Sequence, residues 1–411
     1  MSDNAHQTFG LDRNVTPQDA ANQIVEYAAR LGASDIYALT NANECRFAVR
    51  HLGLPVPIVA VPIELGRRIV SHVKAVAGMD IAERNHPQDG RWIVSRADGK
   101  ALDLRINTLP TLHGEDMTMR LLDRESRLLA LDQLGLVPRE HNLLVSMLAN
   151  ASGLILVTGP TGAGKTTTLY SCLRHLNDGS RKINTIEDPV EYQIDGLRQS
   201  PVREKANVGF AELLKSVLRQ APDVIMIGEI RDPETAATAV RAANSGHLVL
   251  STLHAPIASA AVQSMLHLGV HPHFLASSLL GVVTQRLIRT LCPKCRVLFT
   301  ATDGPDVFGD VRSLFAPGEG YRYYGPRGCA DCRNTGYVSR TGVFEVLKVT
   351  PAIRQLIVDR APTQAIQQKA RDEGLVECRR SAILKVASGA TSFDEIIRTI
   401  PEEYLENAGA I

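Results

Sequence analysis

Residues 153–176 read GLILVTGPTGAGKTTTLYSCLRHL. An apolar run with strand character, residues 154–158, stops at a glycine-rich turn, and a helix-compatible stretch begins at Lys165. The turn, residues 159–166, matches G-x-x-x-x-G-K-[ST] at every fixed position. In that pattern glycines let the backbone bend so that its N–H groups face phosphate. The lysine, here Lys165, brings a point charge to the β- and γ-phosphates, and the hydroxyl of Thr166 is the candidate Mg2+ ligand. Gly159, Pro160, Thr161, Gly162, Ala163, Gly164, Lys165, Thr166 and Thr167 form the candidate ATP-binding loop.

Outward from this loop, helical and short apolar segments alternate from about Pro138, as in HNLLVSMLAN, DVIMIGE and HLVLSTL. That alternation predicts an α/β domain with a parallel sheet wrapped by helices. In APDVIMIGEIRDPET an apolar strand ends at Gly228 and Glu229. The carboxyl ends of parallel strands border the ligand crevice, so Glu229 is placed to position or deprotonate an attacking water. NTIEDPVEY packs Glu187, Asp188 and Glu191 into five positions, a density that by itself reads as a solvated turn. SGHLVLSTLH, residues 245–254, carries His247 before and His254 after a strand-like run.

Residues from about 15 to 120 mix helical periodicity (PQDAANQIVEYAARLG, ELGRRIVSHVKAVAG) with strand-like pieces (GRWIVSRA, LDLRINTLP, DMTMRLL), which predicts a small α+β domain over 1–120. The charged stretch LLDRESRLLALDQLGL then suggests a linker over 121–137 that leads into an ATPase domain, 138–411. With 45 basic and 44 acidic residues, the chain has no bulk field favouring nucleic acid or an anionic membrane. No apolar run reaches the roughly 18–20 residues of a membrane span, and MSDNAHQTFG lacks the pattern of a signal peptide. The expectation is a cytoplasmic protein that does not insert into a membrane and does not bind nucleic acid. Four of its seven cysteines form two C-x2-C pairs, Cys292/Cys295 and Cys329/Cys332, separated by a 33-residue insert. Four thiolates so spaced suit a tetrahedral structural Zn2+ with no position open for chemistry.

Taken in order, GPTGAGKTTTLY, KINTIEDPVEYQIDGLRQ, LRQAPDVIMIGEIRDPETAATAVRAANSGHLVLSTLHA, QRLIRTLCPKC and GCADCRNTGYVSRTGVFEVL resemble the type II secretion and type IV pilus assembly ATPases from about Leu102 onward. Earlier residues are less similar: LGASDIYA has Tyr37 where the family's pattern has histidine. The resemblance implies a PAS-like N-terminal domain and a RecA-like core, with a zinc element over 291–345 and C-terminal helices over 346–411. It implies a homo-hexamer that hydrolyses ATP with Mg2+ on the cytoplasmic side of an inner-membrane platform protein. It assigns Glu191 and Glu229 to the water and Mg2+, and places His247 and His254 near the nucleotide, with His254 reporting the γ-phosphate. DLRINTLPTLHGEDMTMRLLD carries Arg105 and Arg120 as candidates to close onto the phosphates, and LRQAPD carries Arg219.

Two departures stand out: Lys215 replaces an arginine, and Ala221 an aspartate, of the family pattern. The tetracysteine pattern favours assembly or secretion over pilus retraction, whose ATPases generally lack it. Many secretion members carry a further N-terminal domain that grips a membrane adaptor. Because only about 120 residues precede the core here, a different mode of docking is expected.

Overall fold

A computed structural model describes residues 10–12, 14–96, 99, 101–122, 128–203, 206, 208–300, 308–315, 320 and 322–401. The chain divides into two units, Met1–Ser126 and Arg127–Ile411.

In the first unit, helix α1 (Pro17–Arg30) starts where the Thr16 hydroxyl accepts from the Asp19 N–H, with proline in the first turn, so a free donor is capped and φ is preset. Strands β1 (Asp35–Thr40), β2 (Glu44–His51) and β3 (Leu54–Pro62) lead to helix α2 (Ile63–Val76), and β4 (Gln88–Ser95), β5 (Ala101–Thr111) and β6 (Gly114–Leu122) follow. The six strands form one antiparallel sheet in the order β3-β2-β1-β6-β5-β4. Alternation sorts its faces: Ile36, Phe47, Leu104, Ile106, Met117 and Met119 pack with Ile24 of α1 and Ile69 and Val73 of α2. The other face mixes charged residues, among them Asp35, Arg91, Arg105 and Arg120, with the exposed Leu39, Ile93 and Leu109.

The second unit opens with α3 (Pro138–Leu148), β7 (Gly153–Thr158), α4 (Lys165–Leu176), β8 (Ile183–Glu187), β9 (Arg198–Pro201) and α5 (Phe210–Val217). It continues through β10 (Val224–Ile227), α6 (Pro233–Asn244), β11 (Leu248–Leu253), α7 (Ala258–His267), α8 (Pro272–Ser278) and β12 (Leu279–Leu291). β13 (Val297–Thr300) and β14 (Arg322–Gly325) pair as a small ribbon, β15 (Tyr337–Lys348) returns to the main sheet, and α9 (Pro351–Val358), α10 (Thr363–Asp372), α11 (Cys378–Ala387) and α12 (Phe393–Thr399) follow. The main sheet runs β15-β12-β7-β11-β10-β8-β9, parallel except where β15 meets β12. Buried on both faces, β7, β8, β10 and β11 are continuous runs of buried residues, as a parallel sheet covered by helices requires.

Two expected boundaries move. Leu121 and Leu122 are part of β6, and Leu131 and Leu134 are buried in the core with Leu128 and Leu129 packed against it, so most of 121–137 is not linker; residues 123–127 lie outside the described residues. Residues 337–345, expected in the zinc element, belong to strand β15 of the central sheet, paired with β12 apart from an irregularity at Val338. The cysteine insert thus hangs from a β12–β15 hairpin, and of it 301–307, 316–319 and 321 lie outside the described residues.

Candidate active site

β7 delivers its last residue, Thr158, to the carboxyl edge of the sheet, and the phosphate loop follows at once. Gly159, Gly162 and Gly164 take φ of 141°, 76° and 88°, a region in which a side chain is strained. At Gly159 a Cβ would also stand 2.3 Å from the Gln285 carbonyl oxygen. Gly164 is the N-cap of α4, and Lys165 its first residue. The N–H groups of that first turn have no acceptor within the helix, so they and the helix dipole favour a phosphate there. This cradle fits a nucleoside triphosphate. Pro160, Thr161 and Thr166 are exposed along it, Thr167 is half-buried, and Ala163 is buried beneath. The Thr166 hydroxyl is thereby available to a hydrated cation.

Lys165 Nζ donates to the carbonyls of Gly159 at 2.8 Å and Pro160 at 3.2 Å. Burial lowers its pKa from the usual ammonium value, and the nearby Glu229 carboxylate opposes that shift. Glu229 follows β10 by two residues, 18% exposed, and pairs with Arg231 at 2.5 Å. The fold therefore brings Lys165 and Glu229 together at one edge, although 64 positions separate them.

The acidic turn is only partly solvated. Glu187 is the buried last residue of β8, taking hydrogen bonds from the Tyr170 hydroxyl, from Thr185 Oγ1 at 2.5 Å and from Gln199 Nε2 at 3.1 Å. Burial first, and Glu187 second, push the Tyr170 phenol well above its ordinary pKa. The same hydroxyl accepts from the Glu191 N–H at 3.3 Å, and the Tyr170 and Tyr192 rings meet edge to face at 4.6 Å. Glu187 thus anchors the turn that presents Glu191. No reading of the solvated-turn density reveals it; the signal is a lone carboxylate closing INTIE, an otherwise strand-like run that is buried throughout.

The two histidines separate. Leu253 pairs with Thr158, so His254, one residue on and exposed, lies level with Gly159. His247 is at the other edge: its carbonyl accepts from the Gly153 N–H at 3.1 Å, and its Nδ1 lies 3.0 Å from the Ala242 carbonyl. Seven residues of extended chain place it roughly 20 Å from His254. His247 is therefore not beside this chain's phosphate loop; a strand that runs the depth of the sheet carries its two ends to opposite edges. Arg219 is likewise displaced, since it is exposed in a short 3-10 turn that precedes β10, at the amino edge. Lys215, on α5, pairs with Glu234 of α6, and Ala221 adopts φ 48°, where an L-residue without a polar side chain is disfavoured.

In the N-terminal unit the open sheet face carries a row set by register: Arg91 opposite Arg105, Arg105 opposite Arg120, Arg120 opposite Asp35, Asp35 opposite Arg50. Arg91 forks onto Asp103 at 2.8 and 2.7 Å. Buried Asp35 takes Arg120 Nε at 3.1 Å and lies 3.6 Å from Arg50 Nε, while Arg50 Nε also donates to Tyr37 at 2.7 Å. Arg105, between two arginines, has no acidic partner among the described residues. Like charges directly opposite are destabilising in a sheet, so Arg105 is the member of the row whose charge is left unbalanced, whereas Arg120 is paired with Asp35.

The four cysteine sulfurs lie within 4.8 Å of one another, with Cys292–Cys329 at 3.9 Å and Cys295–Cys332 and Cys329–Cys332 at 3.7 Å. Tetrahedral thiolates about 2.3 Å from a metal stand roughly 3.8 Å apart, so the cluster fits such an ion. The N–H groups of Cys329 and Gly336 donate to Cys332 Sγ at 3.1 and 3.3 Å. These bonds suit a thiolate rather than a disulfide.

A phosphate loop on the first strand of a parallel sheet, with a carboxylate two strands away at the same edge, defines a nucleotide-hydrolysing P-loop core. The family described as Type II/IV secretion system protein matches residues 12–398, and the chain belongs to it. It is 42% identical to the type II secretion system ATPase E of Vibrio cholerae, over 93% of this chain and 75% of that protein. To the type IV pilus assembly ATPase PilB of Pseudomonas aeruginosa it is 39% identical, over 92% of this chain and 66% of that protein. Among solved structures, the pilus retraction motor PilT with bound ADP matches with a TM-score of 0.60 at 25% identity, covering 94% of this chain and 98% of that one. The Legionella pneumophila ATPase DotB matches in fold, TM-score 0.70, at 19% identity and 98% of both chains. This chain is an ATPase of the secretion and pilus class. Among the described residues no helix is long and apolar enough to cross a membrane.

Proposed function

We propose that six copies form a ring at the cytoplasmic face of an inner membrane and turn ATP hydrolysis into assembly of a type IV pilus or type II secretion pseudopilus through a platform protein. The observation that carries this choice over retraction is the four-sulfur cluster, built into a chain 39–42% identical to ATPases named for secretion and pilus assembly. Lys165 and the loop N–H groups hold the phosphates, Glu229 activates the water, Glu191 supports it from the neighbouring turn, and His254 senses the γ-phosphate. Arg105 and Arg120 supply positive charge from the N-terminal unit. Mg2+ held at Thr166 would neutralise charge shared between the β- and γ-phosphates. If the ring is the working unit, specific activity should rise steeply with protein concentration as hexamers appear by light scattering. A flat value from monomer to hexamer would sink the motor reading.

Zinc is the metal proposed for Cys292, Cys295, Cys329 and Cys332, where it would close the hairpin between β12 and β15 without entering the chemistry. Purified protein should carry about one Zn2+ per chain, and Cys292→Ser with Cys329→Ser should remove it and lower the melting temperature. Elemental analysis that finds no zinc, or unchanged zinc in the double variant, refutes the assignment.

A further inference from the structure

The phosphate loop is gripped from the side by β12. Thr284 pairs with Thr158 at the end of β7, and their buried hydroxyls lie 2.8 Å apart. One residue on, Gln285, 1% exposed, donates from Nε2 to the Ala163 carbonyl at 2.6 Å. Its own carbonyl is the atom that a Cβ on Gly159 would strike, and its Nε2 would stand 3.2 Å from a Cβ on Gly164. Gln285 Oε1 is buried and accepts no hydrogen bond among the described residues.

We propose that Gln285 is a positioning residue for nucleotide binding, fixing the Ala163–Gly164 peptide so that the Gly164 N–H faces the phosphates. The inference rests on the reading of this loop as the ATP site. In a planar trans peptide the C=O and N–H point in opposite directions, so anchoring the Ala163 oxygen on β12 turns the Gly164 N–H away from β12. Gly164, at one end of that plane, takes a φ of 88°, and a glycine there exchanges readily among conformations. Without the anchor the plane is free to flip, and each flip withdraws a donor from the first turn of α4. The orphaned Oε1 sharpens the point. A buried amide oxygen without a partner costs stability that an apolar side chain of similar shape would not, so the folded state gains little from this glutamine beyond its one donated bond.

Stability and affinity should part company. Gln285→Leu should melt, without nucleotide, within a few degrees of wild type, because the orphaned Oε1 it removes offsets the Ala163 carbonyl it leaves without a donor, yet bind ATP and ADP about tenfold more weakly by calorimetry, the worth of roughly one hydrogen bond. KM for ATP should rise in step, with kcat at saturation retained. Wild-type affinity in the folded variant overturns the proposal, as does a kcat loss with KM unchanged or an affinity loss that merely follows a lower melting temperature. Gln285→Met, of similar length, gives the same comparison if the leucine variant does not fold. Lys165→Ala separates the two readings: if it binds ATP as tightly as wild type, the nucleotide assignment of the loop fails, whatever Gln285 does.

Discussion

Glu229→Gln should keep ATP bound and all but stop its hydrolysis. The backbone around Glu229 is tied to both neighbouring strands: the Gly228 N–H donates to the Ile186 carbonyl at 2.8 Å, Thr252 Oγ1 donates to the Gly228 carbonyl at 2.7 Å, and the Ile230 N–H donates to the Thr252 carbonyl at 3.0 Å. The substitution therefore leaves the backbone in place, and glutamine keeps the shape of the side chain. What disappears is a base and a negative charge. A positioned general base contributes about 10²–10⁴ in rate, so turnover at saturating ATP should fall by at least the lower figure. Affinity should hold or tighten, because one negative charge near the phosphates is gone. Phosphate release together with equilibrium binding of a fluorescent ATP analogue separates these effects, and near-wild-type hydrolysis would remove Glu229 from its role.

The parts of the site that were legible in the sequence are those whose chemistry is local. GPTGAGKT states its own turn, because Gly159, Gly162 and Gly164 occur where positive φ is needed. Glu229 could be placed because an apolar run ending in an acid puts that acid at the carboxyl edge of a parallel sheet. Two further residues were hidden because their partners are remote: Gln285 meets Ala163 across 122 positions, and Glu187 depends on Tyr170, 17 positions back. His247 shows the converse: the family resemblance set it with His254 near the nucleotide, and within this chain a strand separates the two by the depth of the sheet. The arginine row was half legible: Arg105 and Arg120 stood out in the motif, but the place of Asp35 beside Arg120 follows from strand register, which links residues 85 positions apart. The cysteine insert was legible by spacing, while its return strand β15 was not, because pairing with β12 is set by the whole sheet.

Arg105→Ala and Arg120→Ala should each remove most ATPase activity, on the order of 10²-fold or more, while ATP affinity changes little. The loop around Lys165 supplies only part of the positive charge that a phosphoryl-transfer transition state requires, and arginines brought from another domain are a common source of the remainder. Under the proposed reading Arg105 suits that task, because it is flanked by Arg91 and Arg120 and has no acidic partner among the described residues. The two substitutions should differ in stability, which distinguishes a functional cation from a structural one. Removing Arg105 relieves repulsion across two strand pairs and should raise the melting temperature slightly. Removing Arg120 deprives the buried Asp35 carboxylate of the closer of its two cations, leaving Arg50 at 3.6 Å and the Ser34 hydroxyl at 2.8 Å, and should lower it. For Arg105→Ala the expectation is thus a more stable protein that hydrolyses ATP far more slowly. The combination is hard to obtain from misfolding, since damage to the fold would move both quantities down. Normal turnover in both variants would mean that the charge at the γ-phosphate is completed elsewhere, and the row on the open sheet face would then need a different anion.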